Sequence, residues 1–195
     1  TLYGPGAPIL DDGQLSGKYP LFKRHMTALT SMGEELAQAG MPEIDESQPE
    51  LLRTVRQSPS GAQFEFLINQ SKQAMTIADE EKDQACVDFA IPAGSAAWRV
   101  ANIPLPHGLK LLKTSADVFT VDPALVLTAA PSAQVSVEIG DWDENAWSCD
   151  SDANVVITVE NGILNLTAQV AENDAPRLVS LKNGDNQYDV VFVAE

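Results

Sequence analysis

Apolar residues recur at steps of three and four between residues 21 and 39. Leu21, Phe22, Met26, Leu29, Met32 and Leu36 carry the spacing of a helix with one apolar stripe. Gly33 weakens its middle, and Gly40 and Pro42 end it. A second short helix is expected over 47–57. Ser47 would be its N-cap, Pro49 and Glu50 its first turn, and Leu51, Leu52 and Val55 its inner side. Ser58-Pro59-Ser60-Gly61 stops it. From there the period changes to two. Gln63–Ile68, Cys86–Ile91 and Ala97–Ile103 read as strands, with a turn at Pro92-Ala93-Gly94-Ser95. Residues 70–84 are polar and read as a short helix or an exposed loop. After the breaks at Pro104, Pro106 and Gly108, Leu109–Leu112 reads as one more strand. Residues 21–115 are therefore expected to be an α+β domain.

From Asp117 onward no helical period occurs. Strand-like runs fall at 117–121, 124–129, 134–139, 154–159, 163–170, 177–181 and 187–193. Turn signals separate them, among them Asn161-Gly162 and Asn183-Gly184. Asn-Gly between alternating apolar residues is the strongest short-range hairpin signal. About seven short strands in about 80 residues is the pattern of an antiparallel β-sandwich over 116–195.

Residues 1–20 differ from both parts. Gly4, Pro5, Gly6, Pro8, Gly13, Gly17 and Pro20 prevent a regular element. Leu2, Tyr3, Ile9, Leu10, Leu15 and Tyr19 are scattered among them. A disordered tail lacks such apolar residues, so these six are the candidate partner-binding residues of an extended N-terminal arm.

Composition narrows the function classes. The 195 residues include 28 Asp and Glu against 12 Lys and Arg, a net charge of -16. Nucleic acid is excluded as a general partner, because its binding needs a basic face that displaces phosphate counterions. An anionic membrane surface is excluded for the same reason, and no apolar run reaches the length of a membrane span. The charge is uneven. Residues 1–115 hold 10 basic and 14 acidic side chains, a net of -4, and residues 116–195 hold 2 and 14, a net of -12. The opening Thr1-Leu2-Tyr3 has no basic region followed by an apolar stretch. It fits removal of an initiator Met, and alternatively an already cleaved signal.

Candidate chemistry is sparse, and no enzyme is expected. Cys86 and Cys149 are too few for a disulfide scaffold and read as small buried hydrophobes. His25 and His107 are the two histidines, without a His-Glu-x-x-His or paired Cys-x-x-Cys pattern. Both read as solvated. Pro92–Ala96 is a turn, not a Gly-x-Ser-x-Gly elbow. No phosphate-cradling Gly loop occurs. No catalytic, cofactor or metal residue is assigned. The acidic run 141–154 has alternating carboxylates of the kind calcium takes. Val155 stands where an EF-hand loop needs Gly, so a solvated acidic loop is the expectation. Trp142 and Trp147 fit either a sandwich core or a ring face stacked on a sugar. Scarce aromatics favour the core.

Residues 118–195 resemble the small immunoglobulin-like modules of bacterial surface proteins and tailed-phage virion proteins. The residues that carry this are Phe119-Thr120-Val121-Asp122-Pro123, the alternating Val135, Val137 and Ile139, and Trp147-Ser148-Cys149-Asp150. Val155–Val159, Asn161-Gly162-Ile163-Leu164-Asn165-Leu166 and Gln187–Val193 complete it. The resemblance covers about two-fifths of the chain. It implies an immunoglobulin-like β-sandwich after the α+β domain. It further implies a capsid decoration, or cement, protein on the virion exterior, made in the host cytoplasm. Its partner would be the major capsid protein lattice, bound as a homo-oligomer such as a trimer. The alternatives are a phage tail-tube protein with an appended module, and a secreted carbohydrate-binding or adhesion module reading a glycan through Trp142 or Trp147.

Overall fold

A computed structural model describes residues 8–10, 14–45, 48–77, 89–152, 154–170 and 175–194. The order opens with helices α1 (Tyr19–Ser31) and α2 (Gly33–Gln38). Strands β1 (Glu43–Asp45), β2 (Leu51–Gln57), β3 (Gln63–Asn69), β4 (Met75–Ile77), β5 (Phe89–Ile91) and β6 (Ala96–Ala101) follow. Next come β7 (Ile103–Pro104), a 3-10 turn at Pro106–Gly108, and β8 (Lys110–Thr114). The chain continues through β9 (Asp117–Thr120), β10 (Leu125–Ala129), β11 (Gln134–Gly140) and β12 (Ser148–Ser151). It ends with β13 (Val155–Glu160), β14 (Ile163–Gln169), β15 (Arg177–Asn183) and β16 (Asn186–Ala194). The protein is mostly β-sheet, built as several sheets.

The helical region begins earlier than its spacing predicts. Tyr19 and Pro20 belong to α1 rather than to the arm, and Pro20 sits in the first turn, where its missing N–H costs nothing. Met32 leaves helical geometry (φ -108, ψ 14) and separates α1 from α2, beside the Gly33 that weakens the pattern. The helix expected over 47–57 is not formed. Leu51–Gln57 is strand β2, held between β1 and β3. Thr54 and Val55 are β-branched, and ladder pairing on both sides outweighs the local helical signals. Ser47 lies outside the described residues. Met75–Ile77 is likewise strand, not helix or loop, pairing with β5. Residues 78–88, with Cys86, lie outside the described residues.

The first sheet has the order β1-β2-β3-β6, antiparallel throughout. Period two divides β3 cleanly. Phe64 and Phe66 join Trp98 and Val100 of β6 on the side facing the main core. Leu67 turns the other way and packs with Leu51 and Ile91 beneath β4 and β5. Two five-stranded sheets follow, β13-β14-β11-β8-β7 and β12-β15-β16-β10-β9. Their inward residues make one continuous core, with Leu111, Val137, Ile139, Leu164 and Leu166 from the first. Leu127, Val179, Leu181, Tyr188, Val190 and Phe192 come from the second. β10 pairs with β16 in parallel; the other sandwich ladders are antiparallel.

The two Asn-Gly signals fall at hairpin turns as expected, and Asn173-Asp174 lies outside the described residues. Glu160 pairs with Ile163, leaving Asn161 and Gly162 as a two-residue turn with φ 53 and 76. That conformation matches the right-handed strand twist and suits Asn-Gly. Beside this turn, Gly140 of β11 lies against the side chain of Leu112 on β8. A Cβ there would meet Leu112 at 2.9 Å. The division expected near Ser115 is not a break in hydrogen bonding. β8, from before it, pairs with β11 after it, and Ser136 and Ser115 are bonded through backbone and side chain.

Candidate interaction surface

Exposed apolar side chains gather in the first third of the chain. Ile9, Leu10, Leu15, Phe22, Met26, Met41, Ile44 and Ile68 precede residue 70, whereas Val156 and Leu178 follow it. The N-terminal side is therefore where a partner surface is to be sought.

Of the six arm residues, Leu2 and Tyr3 lie outside the described residues. Ile9 and Leu15 form a small antiparallel bridge, closed by Leu10 N–H to the Gln14 carbonyl at 2.8 Å and Ser16 N–H to the Pro8 carbonyl at 2.9 Å. Ile9, Leu10 and Leu15 project from it into solvent. Tyr19 is separate from them, half-buried on the first turn of α1.

α1 is pinned to the body along one side. The Arg24 guanidinium donates to Asp117 at 2.8 Å and to the Thr128 hydroxyl at 2.6 Å, and Ala28 and Met32 enter the core. Trp98 donates its indole N–H to His25 Nδ1 at 3.3 Å. His25 is thus half-buried and partnered, not on a solvated face. This anchoring turns Tyr19, Phe22, Lys23 and Met26 outward. With Thr120 and Asp122 they line an open groove of about 500 Å³. Phe22 and Met26 are exposed, opposite to the inward positions their spacing predicts. The missed signal is the row Arg24, Ala28, Met32, also at steps of four, which is the side the tertiary structure selects.

The acidic run 141–154 does not converge. Asp141 lies 3.8 Å from Lys110 and Asp150 3.8 Å from Lys182. Asp143 accepts from the Asn145 N–H at 3.0 Å, and Asp152 from the Leu178 N–H at 2.9 Å. Among the described residues no group of three or more His, Cys, Asp or Glu could hold a metal ion. Trp142 and Trp147 are both buried, with ring centroids 5.9 Å apart. They fill the core, and neither offers the open face a sugar would stack on. His107 is exposed, 6.3 Å from the Trp147 ring.

Cys149 is half-buried on β12 and is not in a disulfide. Burial, reinforced by the neighbouring Asp150 carboxylate, pushes its thiol from 9.0 up to about 11. The thiolate is the reactive form. In a Cys86→Ser background, alkylation at pH 8 should be roughly a hundredfold slower in the native chain than in denaturant, measured by mass spectrometry over time. Equal rates would mean the thiol is not held in its protonated form.

No known protein family matches this chain, and a search of curated proteins finds no relative.

Proposed function

We propose that this chain is a structural protein of a tailed-phage head. Residues from about 103 onward form an immunoglobulin-like module that projects from the shell, and the N-terminal arm attaches to the capsid lattice. Strand order supports the module. β8-β11-β14-β13 against β12-β15-β16 follows the A-B-E-D and C-F-G arrangement of immunoglobulin sandwiches.

The observation that carries the reading is the segregation of the surface. Among the described residues, eight of the ten exposed large hydrophobics precede residue 70, whereas 12 units of the net negative charge fall after residue 115. A self-repelling acidic module resists non-specific association. The arm offers Ile9, Leu10 and Leu15 on a short backbone bridge, a shape suited to groove filling or strand addition on a neighbouring protein. Such contacts add buried area across capsomer boundaries and raise the barrier to rupture.

Heads and tails purified from induced cells that carry the gene should be separated and compared. The chain is expected in the head fraction at many copies per particle. An Ile9→Asp/Leu15→Asp variant should remain folded yet fall about tenfold in head incorporation. Recovery only in tails, or in neither fraction, would overturn the proposal.

A further inference from the structure

We infer that β13 is a pairing edge: in two copies of this chain the β13 strands join antiparallel about a two-fold axis at Ile157, which merges two five-stranded sheets into one. This goes beyond the particle reading and does not depend on it.

An open strand edge offers unpaired N–H and C=O groups, and folded proteins blunt it with shortness, charge, proline or a bulge. The other edges among the described residues are blunted in these ways. β1, β4 and β5 are three residues long, and β1 carries Glu43 and Asp45. β7 has two residues, one of them Pro104. β9 is bulged against β10, and β12 exposes Asp150. β6 carries Arg99 and holds α1 through Trp98 and His25. β13 differs. It is the terminal strand of its sheet, it reads Val-Val-Ile-Thr-Val before its last residue, Glu160, and its register with β14 is unbroken. Val156 on it is 64% exposed.

Glu160 and Ile163 close a two-residue turn, so Glu160, Thr158 and Val156 exchange hydrogen bonds with β14. Val155, Ile157 and Val159 therefore turn their N–H and C=O groups to the open edge. The Val155 N–H is taken by the Asp152 carbonyl at 3.3 Å. Antiparallel pairing about Ile157 fits what remains. Each Ile157 N–H meets the Ile157 carbonyl of the other copy, and each Val159 N–H meets the other Val155 carbonyl. The side chains of Val155, Ile157 and Val159 are half-buried at the rim of the core. In this register they face Val159, Ile157 and Val155, so apolar meets apolar at every inward position.

Charge selects a second copy as the occupant. Residues 116–195 carry a net of -12, yet within 153–170 the one charged side chain is Glu160. At this hairpin two acidic modules can approach without facing carboxylates. The antiparallel register sets Glu160 against Asn154 and keeps the two Glu160 side chains roughly 20 Å apart, beyond the screening length at physiological salt. Parallel pairing would stack them about 5 Å apart. β1 or β12 as the partner strand would bring Glu43, Asp45 or Asp150 to the strip. Pairing of β13 with itself is isologous, so it closes at a dimer.

Sedimentation velocity of the purified full-length chain, from micromolar to near-millimolar concentration, tests this. Wild type should pass from monomer to dimer, and more readily as salt screens the remaining repulsion between modules. Val156→Lys changes an exposed side chain and sets two lysines beside the axis, so it should weaken the dimer about tenfold. Thr158→Lys, also at an exposed position, should do the same. Val156→Lys/Thr158→Glu should restore the dimer, because position 156 of one copy faces position 158 of the other. Circular dichroism checks that each variant is folded. A wild type that stays monomeric throughout, as when the edge serves another protein's strand, overturns the inference. So does a Val156→Lys variant that dimerises normally, or a double variant that stays monomeric. The Ile9→Asp/Leu15→Asp variant should dimerise like wild type, which separates this result from failure of head attachment.

Discussion

Replacing Tyr188 with alanine is expected to destabilise the chain by about 3–5 kcal/mol. Tyr188 is 1% exposed and among the largest fully buried side chains. It stands on β16 at the centre of the second five-stranded sheet, and its hydroxyl donates to the Val121 carbonyl at 2.6 Å. Truncation leaves a cavity in a close-packed core and strips a buried carbonyl of its donor, and both effects cost stability. Tyr188→Phe isolates the second, and should cost about 1–3 kcal/mol. Denaturant unfolding reads both, as a lower midpoint with unchanged slope. A Tyr188→Ala loss no larger than that of Tyr188→Phe would mean the ring is not packed as described.

The same residue gives the chain an alkaline limit. Burial, with a lesser contribution from Asp122, raises the Tyr188 phenol above its ordinary value of 10.0. The unfolded chain then releases this proton at lower pH than the native chain. The native state binds more protons, so stability is full below about pH 10 and falls as pH rises. Cys149 adds a decline of the same sign from about pH 9 to 11. Tyr188→Phe should therefore flatten the fall above pH 10 while lowering stability at neutral pH.

Hairpins and alternating strands were the most legible part of this fold. Asn161-Gly162 turns between β13 and β14 because its positive φ values are encoded in the two residues themselves. The strands at 63–69 and, β12 apart, from 110 onward could be read because their inner residues alternate with polar ones. Elements without such local encoding were lost. β2 has apolar residues at 51, 52 and 55, compatible with either period, and only its neighbours β1 and β3 decide. β12 is four residues of Ser, Cys and Asp, with no apolar alternation to see. The arm residues Ile9, Leu10 and Leu15 could be picked out because Gly and Pro exclude them from a helix or strand core. The groove on α1 could not. Which stripe of α1 faces inward is set by Asp117 and Thr128, about a hundred residues later, which capture Arg24.

Glu65→Ala is the other substitution with a large expected effect, and its sign is instructive. Glu65 is only 8% exposed, on β3 at the middle of the first sheet. Its two carboxylate oxygens accept from the Nε of Arg53 on β2 and of Arg99 on β6. One buried anion thus ties three strands side by side. Removing it takes from both guanidinium groups their shared carboxylate, and Arg53 keeps only Asp45 at 3.8 Å among the described residues. Breaking a fully buried pair costs 3–5 kcal/mol. Here the arginine side chains are 42% and 30% exposed, so water recovers part of that, and about 1–3 kcal/mol is expected. The triad need not be net stabilising for this to hold, because desolvation opposes the attraction. Accordingly Arg53→Met/Glu65→Leu/Arg99→Met should lie within about 1 kcal/mol of wild type or above it. Unfolding midpoints of the single and triple variants separate the two statements. A single variant within about 0.5 kcal/mol of wild type would reduce Glu65 to an ordinary surface residue. A triple variant as weak as the single one would show that the ion pairs themselves, not the arginines left beside an alanine, set the cost.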